Sequence, residues 1–140
     1  MKLLKKGIVL GLACMVVVGS VNCFSFAKEA QPNVANEMFH FKANSVSYTC
    51  IRMKNNASRT YVVFSDGVSL PKVTVMGTNR SYSTYSNTCS AECTLKKYTD
   101  YTIKNNVYNH YKYAVLRTRC GSSGSGYWSP DSTKDYHNIG

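Results

Sequence analysis

The sequence predicts an all-β fold: a small antiparallel β-sandwich, immunoglobulin-like or jelly-roll-like, with seven to eight strands and disulfide staples. Three observations predict it. Short runs of alternating apolar and polar residues recur from residue 37 to residue 129, and turn residues separate them. No segment after the first 27 residues keeps a helical period over three turns. Many of the runs are rich in tyrosine, threonine and valine, which suit a pleated, half-buried surface.

The runs can be taken in order. EMFHFKA sets Phe39 and Phe41 on one face, with Met38 and His40 on the other. SYTCIRM follows, and KNNAS (54–58) turns the chain. RTYVVFS is strand-like and ends at the Asp66-Gly67 turn signal. PKVTVMG alternates Val73 and Val75, with Pro71 at a strand start. SYSTYSNTC and TDYTIKNNVY read as further strands, with a turn at Asn109-His110. YKYAVLRTRC is the strongest run. GSSGSG (121–126) reads as a flexible link, GYWS as a last short strand, and residues 130–140 as a polar tail. The expected core is Phe39, Phe41, Tyr61, Val63, Val73, Val75, Ile103, Val107, Ala114 and Leu116.

The opening residues set the compartment. Lys2, Lys5 and Lys6 precede an apolar run from Gly7 to Val21, and Ser25-Phe26-Ala27 offers small residues at a cleavage site. That is the layout of a secretory signal peptide over residues 1–27, cleaved near Ala27. Cys14 and Cys23 belong to it. Residues 28–36 are polar, contain Pro32, and read as a disordered lead-in to a domain over 37–129. No later run is apolar enough to span a bilayer, so a secreted, extracellular protein is expected. The chain carries 17 lysines and arginines against 7 acids. Losing three lysines with the signal still leaves it strongly basic.

Four cysteines remain: Cys50, Cys89, Cys93 and Cys120. An even count in a small exported domain points to disulfides. Cys89 and Cys93 flank a three-residue hairpin loop, and Cys50 and Cys120 lie near the start and end of the domain. The favoured pairing among three is Cys50–Cys120 with Cys89–Cys93. A metal is not expected, because the cysteines lack zinc spacing and His40, His110 and His137 are scattered.

No catalytic residue is identified and no cofactor is expected. No serine sits in G-x-S-x-G, and the seven carboxylates are spread thinly, mostly at turns and in the tail. What stands out is an interleaving of basic and aromatic residues. Lys96, Lys97, Tyr98, Tyr101, Lys104, Tyr111, Lys112 and Tyr113, with the single tryptophan Trp128, form the candidate binding face. Such a face suits anionic polymers through charge, and sugars or lipid head groups through ring contact. The alternative is that the tyrosines only fill half-buried strands and the lysines keep strand faces and edges soluble. Nucleic acid is not an expected partner outside the cell.

The FHFKANSVSYT opening, the TDYTIKNNVY strand and the GYWSPDS segment resemble a family of small secreted all-β proteins of Gram-positive bacteria. More distantly the chain is similar to lactococcin 972-like bacteriocins. The first resemblance implies a signal peptide and a single all-β domain, and offers no catalytic residues. The expectation is a secreted, non-catalytic binding module that meets an anionic cell-wall polymer, a membrane surface or another extracellular protein. A bacteriocin or toxin-like role is the alternative, and a small secreted hydrolase ranks last.

Overall fold

The computed structural model describes residues 31–82 and 87–140. The expected signal peptide, with Cys14 and Cys23, lies outside the described residues. So does the middle of the SYSTYSNTC run.

Among the described residues, eleven strands and one helical turn follow in chain order: β1 (Glu37–Phe41), β2 (Ser45–Tyr48), β3 (Arg52–Met53), β4 (Thr60–Gly67), β5 (Lys72–Thr78), β6 (Asn87–Thr88), β7 (Cys93–Thr94), β8 (Asp100–Ile103), α1 (Val107–His110), β9 (Tyr113–Cys120), β10 (Gly124–Ser129) and β11 (His137–Ile139). They form two sheets. The first has the order β1-β10-β4-β8-β11, antiparallel throughout except that β11 lies parallel to β8. The second has the order β2-β9-β5-β6, with β3 prolonging the pairing on β9 and β7 that on β5. The fold is all-β, as the alternation predicted. The strand count exceeds seven to eight because three pieces are only two residues long.

Inward residues of both sheets meet in one core. Phe39, Phe41, Val62, Phe64, Ile103 and Trp128 come from the first sheet; Val73, Val75, Ala114 and Leu116 come from the second. Leu95, between the sheets in sequence, is fully buried with them. One expectation fails in β4. Thr60, Val62 and Phe64 point inward, and Tyr61 and Val63 do not. The run YVVF has a large apolar or aromatic residue at every position, so it carries no legible parity. The pairing decides it, because Val62 stands opposite the buried Trp128.

The segment GSSGSG is not a link. Its second half opens β10, an interior strand between β1 and β4. Gly124 is registered with Phe41 and Gly126 with Phe39. A Cβ on Gly126 would lie 2.9 Å from the Phe39 ring, and one on Gly124 would lie 2.6 Å from the Phe41 ring. Each would also drive into a backbone carbonyl of β4, at Val63 and at Asp66 respectively. Glycine is required because two phenylalanine rings lie over the strand and leave no space for a side chain.

The ends differ from expectation too. TDYTIKNNVY leaves the strand at Ile103, and its last residues begin α1. Residues 31–36 are not a disordered lead-in, and the polar residues 130–140 are partly ordered against the sheets. Asn33 N–H donates to Asp131 Oδ2 at 2.7 Å, and Arg52 donates to Ala35 O at 2.6 Å and to Asn33 Oδ1 at 2.9 Å. Asp131 itself is fully buried. Beyond it, β11 adds an edge to β8, where Thr102 donates to Asn138 Oδ1 at 2.5 Å.

Candidate functional site

The strand directions bring four loops to one end of the two sheets. β1 turns into β2 through residues 42–44, where Asn44 takes the left-handed conformation (φ 54°) that asparagine tolerates. β4 turns into β5 through residues 68–71. β9 turns into β10 through residues 121–123. Residues 95–99 cross from the second sheet to the first. Their place is fixed by Leu95 N–H donating to Pro71 O (3.0 Å) and Tyr98 N–H donating to Phe64 O (2.8 Å). The loops are tied together: Ser69 N–H donates to Ser122 Oγ at 2.9 Å, and Ala43 N–H donates to Ser123 Oγ at 3.1 Å.

Charge collects at this end by register. Lys72 stands beside Arg119, and Thr74 beside Arg117, across the β5–β9 pair. The Arg117 guanidinium donates to Thr74 Oγ1 at 3.3 Å. Lys97 is bridged to Phe64 and lies 3.7 Å from Asp66. Lys42 and Lys96 are exposed in the adjoining loops. The acids here are Asp66, paired with Lys97, and Glu92, which takes two hydrogen bonds from Arg119. Those bonds hold the Glu92 carboxyl below its usual range, helped by the charges of Arg119, Lys72 and Arg117. Both acids are thus paired in place, and Lys42, Lys72 and Lys96 face outward, whereas Arg117 is half-buried. A groove of about 480 Å3 opens among them, lined by Asn44, Val46, Leu70, Lys72, Glu92 and Arg119.

The candidate face read from the sequence is divided by the fold. Lys96, Lys97 and Tyr98 lie at the loop end just described. Lys97 Nζ sits 5.1 Å from the centre of the Tyr98 ring, a cation–π contact. Lys104, Tyr111 and Lys112 lie at the opposite end, after β8 and before β9. Tyr113 begins β9, beside Met53 and Thr78. Two members are excluded from any surface. Tyr101 is buried, its hydroxyl accepting from Lys96 N–H at 3.2 Å. Trp128 is 0 % exposed. It is a core residue because β10 is an interior strand, and the Arg52 guanidinium lies 5.7 Å from the centre of its ring. Lys42, Lys72, Val68 and Leu70 were missed. The signal for the last two was present: GVSLP sets two large aliphatics inside a glycine- and proline-bounded turn, where no strand can bury them.

The GYWSPDS segment also has a structural account. Ser129 Oγ donates to Asp131 O at 2.8 Å and fixes the turn. The Lys54 ammonium donates to Ser58 O (2.6 Å), Pro130 O (2.7 Å) and Asp131 Oδ1 (2.9 Å). Asp131 Oδ2 accepts from Asn33 and Asn55 N–H at 2.7 and 2.9 Å. Burial pulls the Lys54 ammonium below its ordinary value, and Asp131 opposes that pull. Both side chains are 0 % exposed. One buried ion pair therefore joins the start of the described chain, the β3–β4 loop and the end of β10. It holds the fold together far from the basic loop end.

All four cysteines among the described residues are free thiols. The expected Cys50–Cys120 bridge is contradicted by register. Cys120 stands opposite Ser45, whereas Cys50 follows Thr49, whose N–H donates to Leu116 O. Thr49 is already four residues from Cys120 along β9, roughly 13 Å at strand rise, and Cys50 lies beyond it, well past the reach of a disulfide. Cys50 is exposed; Cys120 is buried with its thiol on Ser69 O at 3.3 Å. Cys89 and Cys93 are also unbridged, but they are neighbours on the β5 edge. Cys89 N–H donates to Val75 O, and Cys93 stands opposite Val73. Both turn into the core.

Burial raises the Cys89 and Cys93 thiols above their ordinary value. The sign follows: the contribution of the neutral thiols is complete below the unfolded value of 9.0 and is lost as pH rises through the higher folded values. In reduced protein at pH 8, iodoacetamide is expected to modify Cys50 first. Cys89, Cys93 and Cys120 should react only as fast as the domain opens, which peptide mass mapping over time checks. Equal rates at all four would contradict the burial.

The chain belongs to a family described as a protein of unknown function (DUF2712), which matches residues 23–132. The matched stretch contains the basic loop end and the Lys54–Asp131 pair. No curated protein and no solved structure matches the chain.

Proposed function

We propose that this is an exported, non-catalytic binding module of β-sandwich type that attaches to an anionic extracellular surface through its loop end. One observation carries the reading. The β5–β9 register and the Phe64–Lys97 bridge collect Lys72, Arg117, Arg119 and Lys97 at one end from distant parts of the sequence, against only Asp66 and Glu92, so that a net positive charge remains after Lys97 and Arg119 have paired with them. Cations near an anionic surface contribute about 1 kcal/mol each at low salt, and that attraction is screened over roughly 10 Å at 0.1 M. The signal-like first 27 residues and the resemblance to secreted proteins of Gram-positive bacteria make the cell envelope the natural partner.

The same reading includes one staple. In the oxidising environment outside the cell, Cys89 and Cys93, which flank Ser90–Glu92 and both turn into the core, are expected to form a short bridge. Non-reducing peptide mapping of exported protein should show that peptide lighter by two hydrogens.

Sedimentation with purified Gram-positive cell walls over a salt series tests the attachment. Binding is expected at low salt, falling about ten-fold or more as salt rises several-fold. Binding absent at every salt concentration would sink the reading.

A further inference from the structure

The loop end carries more than charge. Val68 is 93 % exposed, Leu70 51 % and Val46 49 %. Val46 and Leu70 line the groove with Lys72 and Arg119, and Val68 lies in the same β4–β5 loop as Leu70. Tyr98, in the neighbouring loop, is 74 % exposed and sits in the left-handed conformation at φ 57°. A tyrosine there is strained, and the Phe64 carbonyl and the Lys97 bridge hold it so. Folding gains nothing from an outward valine at a turn tip or from a strained outward tyrosine. A solvent-facing cluster of aliphatic and tyrosyl groups within a ring of cations matches one kind of surface well. Aliphatic side chains enter hydrocarbon, tyrosine rests at the head-group level, and cations meet anionic head groups.

We infer that the β4–β5 loop tip, Val68 and Leu70, inserts into an anionic lipid bilayer, with Tyr98 at its interface and Lys42, Lys72 and Arg119 on the head groups. The inference rests on the proposed attachment at this end and names the surface as lipid. A polymer offers charge alone to these residues, and so would leave the aliphatic tip in water. The contact is shallow: two short side chains penetrate while the sheets remain outside.

Three measurements separate this from charge-led adsorption. The protein is sedimented with phosphatidylcholine vesicles, with vesicles containing phosphatidylglycerol, and with purified cell walls. Wild type is expected to bind the phosphatidylglycerol vesicles and to bind pure phosphatidylcholine weakly. The Val68→Ser/Leu70→Ser variant, which leaves the charge unchanged, is expected to lose about ten-fold or more of its vesicle affinity, through lost apolar burial, while its salt-sensitive wall binding stays close to wild type. Tyr98→Gly guards against misfolding, since glycine adopts φ 57° freely. It is expected to be at least as stable as wild type and to bind vesicles more weakly. Equal vesicle binding by wild type and the tip variant would overturn the insertion. So would wall binding without vesicle binding, which leaves the charge-led attachment standing, or an equal loss on walls and vesicles, which would place polymer at the tip. Failure to bind either surface would overturn both readings.

Discussion

Replacing Asp131 by alanine is expected to cost about 3–5 kcal/mol of stability, the range for breaking a buried ion pair from one side. The Lys54 ammonium would keep the carbonyls of Ser58 and Pro130 but lose its anion, in a site with no solvent exposure. Asn33 and Asn55 N–H would lose their acceptor as well. For a domain of this size the loss should lower Tm by more than about 10 °C. The matched control is Lys54→Met with Asp131→Leu, which removes both charges. It should recover much of the loss, because an apolar pair of similar volume avoids the uncompensated charge. Urea unfolding of the three proteins, with equal m-values, checks this. A single variant within about 0.5 kcal/mol of wild type would mean that the pair is not what closes this end.

The second large effect is at Gly126. Gly126→Val should cost about 3 kcal/mol or more, at the upper end of overpacking, because the new side chain meets the Val63 carbonyl and the Phe39 ring together. Relief on the strand's other face is not available, since β10 is paired on both sides. Gly121→Ala, five residues earlier in the same glycine–serine stretch, is the control. A Cβ there meets only Ser69 Oγ at 3.6 Å, and its effect should stay within about 0.5 kcal/mol. If both substitutions were harmless, the stretch would be the link that its composition suggests. A large gap between them establishes β10 as an interior strand.

Those two sites show what the sequence made legible. Alternation gave the β1 faces correctly, because that strand has one buried set and one outward set; in β5 and β9 it found Val73, Val75, Ala114 and Leu116 in the core but not that β5 is buried on both faces after Lys72. It failed where both faces look apolar, as in YVVF, since parity then depends on the partner strand. It failed again at GSSGSG, because glycine has one composition and two meanings: a chain free to move, or a strand pressed under aromatic rings. The rings belong to Phe39 and Phe41, more than eighty residues away, and only pairing reveals them. Asp131 falls, by composition, in a polar tail. In the fold it closes a turn, and its carboxylate is claimed by Lys54 from 77 residues away.

The candidate face was half legible. Lys96, Lys97 and Tyr98 were chosen for their local mixture of charge and ring, and they do lie at the basic loop end. Tyr101 and Trp128 were chosen on the same ground and are core. Local composition cannot tell the two apart, because an amphipathic aromatic serves equally well buried or exposed. The cysteine pairing turned on long-range register. Sequence position near the two ends of the domain made Cys50 and Cys120 look like partners, and the offset along β9 keeps them apart.

The measurement that tests the account most directly compares two charge reversals of equal size. One changes Lys72, Lys97 and Arg119 to glutamate at the loop end; the other changes Arg59, Lys104 and Lys112 to glutamate at the opposite end. Sedimentation with anionic cell walls at low salt is the readout, after thermal melts show that both variants fold. The account predicts that the loop-end reversal abolishes binding and that the opposite-end reversal keeps most of it. Equal losses from the two would contradict a dedicated surface and reduce the attachment to net charge.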